Sequence, residues 1–244
     1  MKTKNMLIGG MSLALVACIS VGATLAYLSD TTGTVQNKFQ MVTNGIVLNL
    51  QETAKDGAGY DVYTAKLEDS QLKKDQKVTD TTTGETLNAN NAGEIVGFIY
   101  ENIQPGAILQ KDVKLSIGQQ GTTTVSSWVF ACMENSNGAN MTVTVNSQNW
   151  KVVANDSEKH KTLYLYQGTL ASAGDNNQKY IPEFENVKEL PSLFTTVEVP
   201  AATQPNASFN DIIVSGYAEQ AEANTYAAAY ANALNHFGMT ADEQ

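Results

Sequence analysis

Few side chains in this sequence have the type and spacing that catalysis or metal binding requires. The two histidines, His160 and His236, lie far apart, and neither belongs to an H-E-x-x-H motif, which would place two imidazoles and a carboxylate around one zinc ion. A non-standard site built from Asp, Glu and one His is the remaining route to metal chemistry. The sequence also contains no Gly-rich phosphate loop, G-x-S-x-G elbow or EF-hand loop. We therefore predict no catalytic residue, no metal ligand and no cofactor.

The amino-terminal residues have the composition of a secretory leader. Two lysines precede an apolar run over residues 6–21, which is short for a membrane span, and a small-x-small site follows at Thr24 and Ala26. A signal peptidase recognises small side chains at these two positions, so the expected cleavage lies between Ala26 and Tyr27. Residues 1–26 are therefore predicted to be removed on export, and the protein is expected to work outside the cytoplasm.

A lipoprotein signal is the alternative interpretation of the same leader. Residues 15–18 read L-V-A-C and fit a lipobox, in which Cys18 would be acylated. The residues after Cys18 stay apolar as far as Leu25, whereas a lipid-anchored chain normally turns polar there. This favours cleavage after Ala26, and sequencing the amino terminus of secreted material would distinguish the two.

The composition limits the classes of partner and the sources of stability. Removing residues 1–26 from the 244-residue chain leaves 218 residues, and the formal charge of −10 becomes −12 when Lys2 and Lys4 are lost with them. So acidic a chain is a poor match for nucleic acid or anionic lipid, which attract basic patches. Contact with the membrane is expected only through the uncleaved leader. Cys132 alone would remain, so no disulfide can form within the chain, and its apolar surroundings indicate a packed thiol rather than a nucleophile.

The remaining sequence predicts strands separated by turns. Residues 46–50 alternate apolar and polar side chains, as in a strand with one buried face. Residues 125–133 are apolar at both sets of alternating positions, as in a strand that is covered on each side. Lys111 is an exception, since it falls on the apolar phase of its strand. Residues 69–93 are polar and read as an exposed insertion between core strands. Further strands are predicted at 95–100, 113–117, 141–145, 150–153, 162–166, 193–199 and 211–218.

This pattern predicts an all-β fold, a jelly-roll-like antiparallel β-sandwich over residues 41–244, with one helix near the end. Large apolar side chains recur at helical spacing in an Ala-rich segment, at Tyr226, Tyr230, Leu234 and Phe237. Asn224 or Thr225 is expected to cap the start of that helix, and Gly238 to end it. The aromatic stripe is expected to pack against the sandwich.

Three segments resemble the TasA and camelysin (CalY) family of Gram-positive matrix proteins. Residues 22–30, G-A-T-L-A-Y-L-S-D, are similar to the cleavage region of leaders processed by the SipW class of signal peptidase. Residues 102–113, N-I-Q-P-G-A-I-L-Q-K-D-V, resemble the family segment N-L-x-P-G-D-x-L-x-K-x-F. They depart from it at Ala107, where an acidic residue is usual, and at Val113, where an aromatic is usual. Residues 212–221 look like the terminal strand and helix entry of clostridial relatives.

The resemblance implies a structural subunit of an extracellular fibre or biofilm matrix. In that family, subunits join head to tail when the amino-terminal segment of one completes the sheet of the next, so the implied partners are other copies of the chain and a SipW-type peptidase during export. Residues 27–40 are the corresponding donor segment here, with Tyr27, Leu28, Val35 and Phe39 as its anchors. Cleavage after Ala26 would free this strand. The alternative is that the segment is a free terminus or pairs within its own chain.

Two further functions remain open at this point. Camelysin-like proteins have been classed as surface metallopeptidases, and metal analysis with casein as substrate would test that activity. The ten tyrosines and two tryptophans suggest a glycan-binding adhesin instead, although most of them fall in strand patterns that predict burial. Glycan binding by a chain that cannot polymerise would favour this second alternative.

Overall fold

A computed structural model describes the chain over residues 24–29, 34–38, 46–68, 71–88, 95–135, 140–175, 177–204, 207, 209, 212–222 and 224–242. Within these residues, nineteen strands and one helix account for the regular structure. The all-β prediction with one carboxy-terminal helix is confirmed. Most of the strands belong to two sheets.

The larger sheet has nine strands. In chain order they are β1 (Thr24–Ser29), β2 (Thr34–Lys38), β4 (Asp61–Glu68), β5 (Gln71–Lys77), β7 (Ile95–Glu101), β10 (Ser127–Asn135), β12 (Trp150–Asp156), β13 (Lys161–Tyr166) and β19 (Ile212–Gln220). In space they follow the order β12-β13-β10-β19-β2-β1-β7-β4-β5. The two earliest strands therefore lie in the middle of this sheet.

The second sheet faces the first and is built around β8. Its strands are β3 (Leu48–Lys55), β6 (Glu85–Asn88), β8 (Ile108–Ile117), β11 (Thr142–Val143), β17 (Lys188–Glu189) and β18 (Phe194–Glu198). Two small two-stranded pairs complete the strands: β9 (Thr123–Thr124) with β16 (Phe184–Glu185), and β14 (Ala173–Asp175) with β15 (Gln178–Tyr180).

The main hydrophobic core lies between the two sheets. On β3, buried and half-buried residues alternate from Leu48 onward, which confirms the period-two prediction for residues 46–50. β10 is buried on both faces, as its apolar sequence predicts. Val129 and Met133 belong to this main core, whereas Trp128 and Phe130 belong to a second cluster on the opposite face of the sheet.

The helix α1 (Tyr226–His236) covers that opposite face. Thr225 caps it, since its side chain accepts a hydrogen bond from the backbone N–H of Ala228. Ala229 and Ala233 are its fully buried residues, and the predicted aromatic stripe lies to either side of them: Phe237 is buried, and Tyr226, Tyr230 and Leu234 are half-buried. Small side chains at the centre let the helix backbone lie close to Trp128 and Phe130.

The polar insertion predicted at residues 69–93 contains two strands that its sequence did not indicate. β5 and β6 lie at the ends of the two sheets, at one edge each. Their described side chains are mostly exposed, in keeping with the polar composition. β5 carries Lys73, Lys74 and Lys77, and lysines along an edge strand discourage pairing with another chain. Val78, which follows, is buried and anchors the segment to the core.

Gly216 on β19 allows the two sheets to approach closely. A β-carbon built at this position would lie 2.7 Å from a methyl carbon of Leu48 and 2.8 Å from one of Leu115, both on the facing sheet. A side chain longer than hydrogen would therefore push the sheets apart beneath the centre of the larger one.

We expect Gly216→Val to destabilise the fold by about 2–4 kcal/mol, since overpacking a core of normal density typically costs 1–3 kcal/mol and valine exceeds a single added methyl. Urea unfolding followed by tryptophan fluorescence would measure the loss. Thr142→Val, at an exposed position of β11, is the control and should cost much less. Equal effects of the two substitutions would contradict the close-approach argument.

Candidate functional site

The candidate site is the hairpin formed by β1 and β2, which the larger sheet holds at its centre. The two strands are antiparallel, with Thr24 opposite Asn37, Leu25 opposite Gln36, Ala26 opposite Val35 and Tyr27 opposite Thr34. The predicted cleavage residues and three of the four predicted anchors, Tyr27, Leu28 and Val35, therefore have backbone positions inside this hairpin. Phe39, Cys18 and the leader before Thr24 lie outside the described residues.

Parallel pairing joins the hairpin to the rest of the sheet on both sides. β1 pairs with β7 at three positions, where Tyr27, Leu28 and Ser29 lie opposite Ile99, Tyr100 and Glu101. β2 pairs with β19 at two positions, where Asn37 and Lys38 lie opposite Val214 and Ser215. The other strand pairs of both sheets are antiparallel. Parallel pairing is slightly weaker per residue, so these five positions hold the hairpin less firmly than the same number of antiparallel positions would.

The strands that flank the hairpin are well anchored in the fold. β19 pairs with β10 over nine positions, and Val214 is fully buried. On β7, the Tyr100 ring is 1 % exposed, and its hydroxyl donates a hydrogen bond of 3.0 Å to the carbonyl oxygen of Gln110 on the second sheet. Burial raises the pKa of Tyr100 well above its usual value, so this hydroxyl keeps its proton at physiological pH. The rest of the fold therefore holds both β7 and β19 firmly. We call the space between these two strands, which the hairpin fills, the slot.

A cluster of charged residues marks the end of β7, where β1 also ends. Glu101 accepts a hydrogen bond of 2.7 Å from the Lys74 ammonium. Asp61 accepts hydrogen bonds from Lys77 at 2.5 Å and from the Asn102 side-chain amide at 2.6 Å, and these two donors lower the pKa of the Asp61 carboxyl. Ser29 lies opposite Glu101, so the described pairing between β1 and β7 reaches this polar cluster.

The sequence left three arrangements open for this segment: donation to a neighbour, a free terminus, and pairing within its own chain. Its described residues, 27–29 and 34–38, pair within their own chain. The space that it fills is two strands wide, so β7 and β19 lie about 14 Å apart, three spacings of about 4.8 Å. Without the hairpin, both strands would expose unpaired backbone N–H and C=O groups along a central break in the sheet.

The described residues that could have supported catalysis are separated from one another. His160 lies exposed in a turn, and His236 packs on α1 with its ring centroid 4.7 Å from that of Tyr217. Burial lowers the pKa of His236, which keeps its imidazole neutral. Among residues that the structure describes, no group of three His, Cys, Asp or Glu side chains could hold a metal ion.

Cys132 is the buried thiol that the sequence predicted. It lies 4 % exposed, with its sulfur 3.7 Å from that of Met239, and burial raises its pKa to about 12. A thiol with such a pKa carries almost no thiolate near neutral pH. We expect the folded chain that starts at Tyr27, in which Cys132 is the single cysteine, to resist iodoacetamide at pH 8 over hours, as followed by intact mass. The same chain in 6 M guanidinium should be modified within minutes. Comparable rates in both states would contradict burial of this sulfur.

A buried ion pair is the feature that sequence reasoning only half detected. Lys111 on β8 and Glu52 on β3 form a salt bridge, with exposed side-chain fractions of 1 % and 0 %. Lys111 stood out in the sequence because it interrupts the alternating apolar positions of its strand, and the structure buries its side chain in the core. Glu52 also falls on an apolar phase, after Leu48 and Leu50, and that signal could have identified it as the partner.

The two tryptophans that helped to suggest glycan binding lie in the core. Trp128 and Trp150 are at most 1 % exposed, and each indole N–H donates to a backbone carbonyl, of Asn224 at 3.3 Å and of Pro191 at 2.9 Å. Neither indole ring offers a face to a sugar. Within the described part of the chain, no helix is long and apolar enough to cross a lipid bilayer.

The chain was also compared with known proteins. No family model, curated protein or solved structure matched it.

Proposed function

We propose that this protein is a secreted structural subunit of an extracellular fibre or biofilm matrix, which polymerises when its amino-terminal segment enters the sheet of a neighbouring copy. One observation carries the proposal. The segment that the sequence identifies as the donor occupies the centre of the nine-stranded sheet, and two strands that are well anchored elsewhere hold it there by short parallel pairing.

Exchange between copies is physically simple from this arrangement. The backbone groups of β7 and β19 that pair with the hairpin of their own chain can pair in the same way with that of another chain, so the enthalpy of the contact is nearly conserved. Each copy would then donate one segment and accept one. Such a heterologous contact produces a filament when the rotation between successive copies does not close into a ring.

The outer edges of the larger sheet do not offer an equivalent route. β5 presents three lysines along its length, and β12 contains an irregularity between Val152 and Ala154, a type of local kink that twists an edge strand away from a regular partner. The lysines of β5 and the irregularity of β12 both discourage pairing with a strand of another molecule. A strand from another molecule would therefore find its best complement at the central slot.

An acidic, disulfide-free sandwich is a suitable building block for such a fibre. The formal charge of −12 that remains without residues 1–26 keeps free subunits apart in solution, and an oxidising extracellular medium cannot scramble a chain whose described cysteine is buried. The leader and the SipW-type peptidase implied by its sequence would place assembly outside the cell.

Electron microscopy of the chain that starts at Tyr27 tests the function directly. We expect filaments at high protein concentration, and none from a chain that starts at Phe39, which lacks the donor segment. A protein that stays monomeric at high concentration, or equal filament formation by the two chains, would refute the proposed role of the segment.

A cross-linking experiment tests whether the segment passes between copies. Ser29 lies opposite Glu101 in the register of β1 and β7, so Ser29→Cys in one population and Glu101→Cys in another place two thiols together only if strands are exchanged. Both chains carry Cys132→Ala. We expect oxidised mixed filaments to yield covalent dimers on a denaturing gel, and a mixture containing only one of the two cysteine variants to yield far fewer. Filaments without dimers would show that assembly uses another contact.

A further inference from the structure

The outer face of the second sheet carries four short polar side chains in a row that crosses its strands. Strand register places Thr86 of β6 opposite Thr53 of β3, and Thr53 opposite Asp112 of β8. On the other side of β8, Thr195 lies in the irregularity of the pairing between β8 and β18. The hydroxyl oxygens of Thr53 and Thr86 are hydrogen-bonded at 2.7 Å. All four residues are exposed or half-buried, and we call them the polar row.

A bulge in β8 sets the position of Asp112 in this row. Two residues of β8, Lys111 and Asp112, lie opposite the single residue Thr195, and bulges of this kind re-aim side chains beside functional sites. One carboxylate oxygen of Asp112 lies 3.2 Å from the Lys114 ammonium. The other, Oδ1, has no hydrogen-bond donor among the residues that the structure describes. Since enclosed polar atoms are nearly always paired, this oxygen indicates a donor from outside the chain.

Two cavities meet at the polar row. The first, of about 310 Å³, lies over the row and extends to Gln110. The second, of about 650 Å³, continues from it towards Asn146 and Pro191. Lys114 and Thr195 line both cavities, which therefore form one groove across the outer face of the sheet. Each volume lies in the range of sites that hold small ligands.

The lining of the groove can both donate and accept hydrogen bonds. Hydroxyl and amide side chains have this double capacity, whereas carboxylates only accept and ammonium groups only donate. Val145 and Pro191 add apolar surface. A sugar ring presents the same combination, with hydroxyl groups at its edge and C–H groups on its faces. The hydroxyl and amide side chains that line the groove are Thr53, Thr83, Thr86, Gln110, Thr144, Asn146, Ser192 and Thr195.

The accessible charges of the groove balance one another. Lys55 and Lys114 lie in its lining together with Asp112 and Glu189, so these four side chains sum to zero. The chain without residues 1–26 has a formal charge of −12. An anionic polymer would meet that overall repulsion without a local excess of positive charge, and a cationic polymer would find no local excess of negative charge. The groove therefore complements an uncharged ligand.

We propose that this groove binds a neutral polysaccharide, whose hydroxyl groups bond to the polar row and whose ring faces contact Val145 and Pro191. The site is separate from the two tryptophans, which lie in the core. It goes beyond the proposed fibre function, because the groove belongs to the second sheet and the amino-terminal hairpin to the larger one. In a matrix, such a site would join the protein to a polysaccharide.

Affinity electrophoresis of the chain that starts at Tyr27 tests the class of ligand. The chain migrates at low concentration through native gels that contain dextran, laminarin or hydroxyethylcellulose, which are neutral, or polygalacturonate, which is anionic. We expect at least one neutral polymer to retard the chain, relative to a gel without polymer, and polygalacturonate to leave its migration unchanged. Failure of all three neutral polymers to retard the chain, or stronger retardation by polygalacturonate, would overturn the inference.

Variants of the polar row test the place of binding. Thr53→Val and Thr195→Val each replace a hydroxyl by a methyl group, and retardation at several polymer concentrations gives the dissociation constant. We expect each variant to raise that constant about threefold to tenfold, as the loss of one hydrogen bond does, and the double variant to lose most of the binding. Thr123→Val, at an exposed position of β9 outside the groove, is the control and should bind like the parent chain.

Circular dichroism establishes that each variant is folded. A folded double variant that binds as well as Thr123→Val would overturn the inference. Binding that depends on the polar row, in a chain that forms no filaments at high concentration, would instead support the inference and refute the fibre function alone.

Discussion

Replacing Lys111 by Met is expected to destabilise the protein by about 3–5 kcal/mol, because it removes the ammonium that neutralises Glu52 in the core. Both side chains are inaccessible to water, so the remaining carboxylate would stay buried without its opposite charge or would have to be protonated. Guanidinium unfolding at pH 7, followed by circular dichroism, measures the free energy of unfolding.

Two variants make this result specific to the buried pair. Lys114→Met lies on the same strand but on its solvent side, where Lys114 pairs with Asp112 at 3.2 Å, so we expect a loss below about 1 kcal/mol. The double variant Glu52→Leu with Lys111→Met should recover most of the stability, since apolar replacements of a buried ion pair are often neutral or stabilising. A double variant as unstable as Lys111→Met would show that the lysine matters for packing rather than for charge.

Deleting the amino-terminal hairpin is expected to leave a folded but weakened sandwich. A chain that starts at Phe39 loses three positions on β7 and two on β19, and at about 1 kcal/mol per net backbone hydrogen bond this lowers the free energy of unfolding by about 3–5 kcal/mol. For a domain of this size the midpoint of thermal unfolding should fall by about 10 °C.

A peptide with the sequence of residues 24–38 should restore the midpoint of this shortened chain when added in excess, because its hairpin fills the slot between β7 and β19. A scrambled peptide of the same composition is the control. An unchanged midpoint after deletion would show that the hairpin contributes nothing to the sheet, and rescue by the scrambled peptide would show that the slot does not select a sequence.

The sequence identifies Lys111 and Glu52 as unusual residues, but it does not show that they form a pair. The alternation on β8 marks Lys111 as anomalous, and the alternation on β3 marks Glu52 in the same way. Neither pattern contains the register of the two strands, which places Ala54 opposite Lys111 and so brings Glu52 within reach of its ammonium. Register depends on the whole set of contacts between two strands that are distant in sequence.

β5 and β6 were not predictable for a related reason. Residues 71–77 contain mostly lysine, aspartate and glutamine, which have no preference for strands and no alternation. They form a strand because β4 offers them an edge with unpaired backbone groups. Backbone pairing supplied by a neighbour outweighs local propensity there, whereas the helix over residues 226–236 forms where its Ala-rich sequence and its cap predict.

By itself, the sequence determined the all-β class, the buried central strand, the capped helix and the buried thiol, because each of these follows from local periodicity and side-chain chemistry. The tertiary structure alone decided that the first two strands lie between β7 and β19 and pair in parallel with both. The physical reason is that backbone hydrogen bonds between strands carry no sequence information. A segment with few apolar side chains can therefore join any open edge, and the geometry of the whole sheet selects which one.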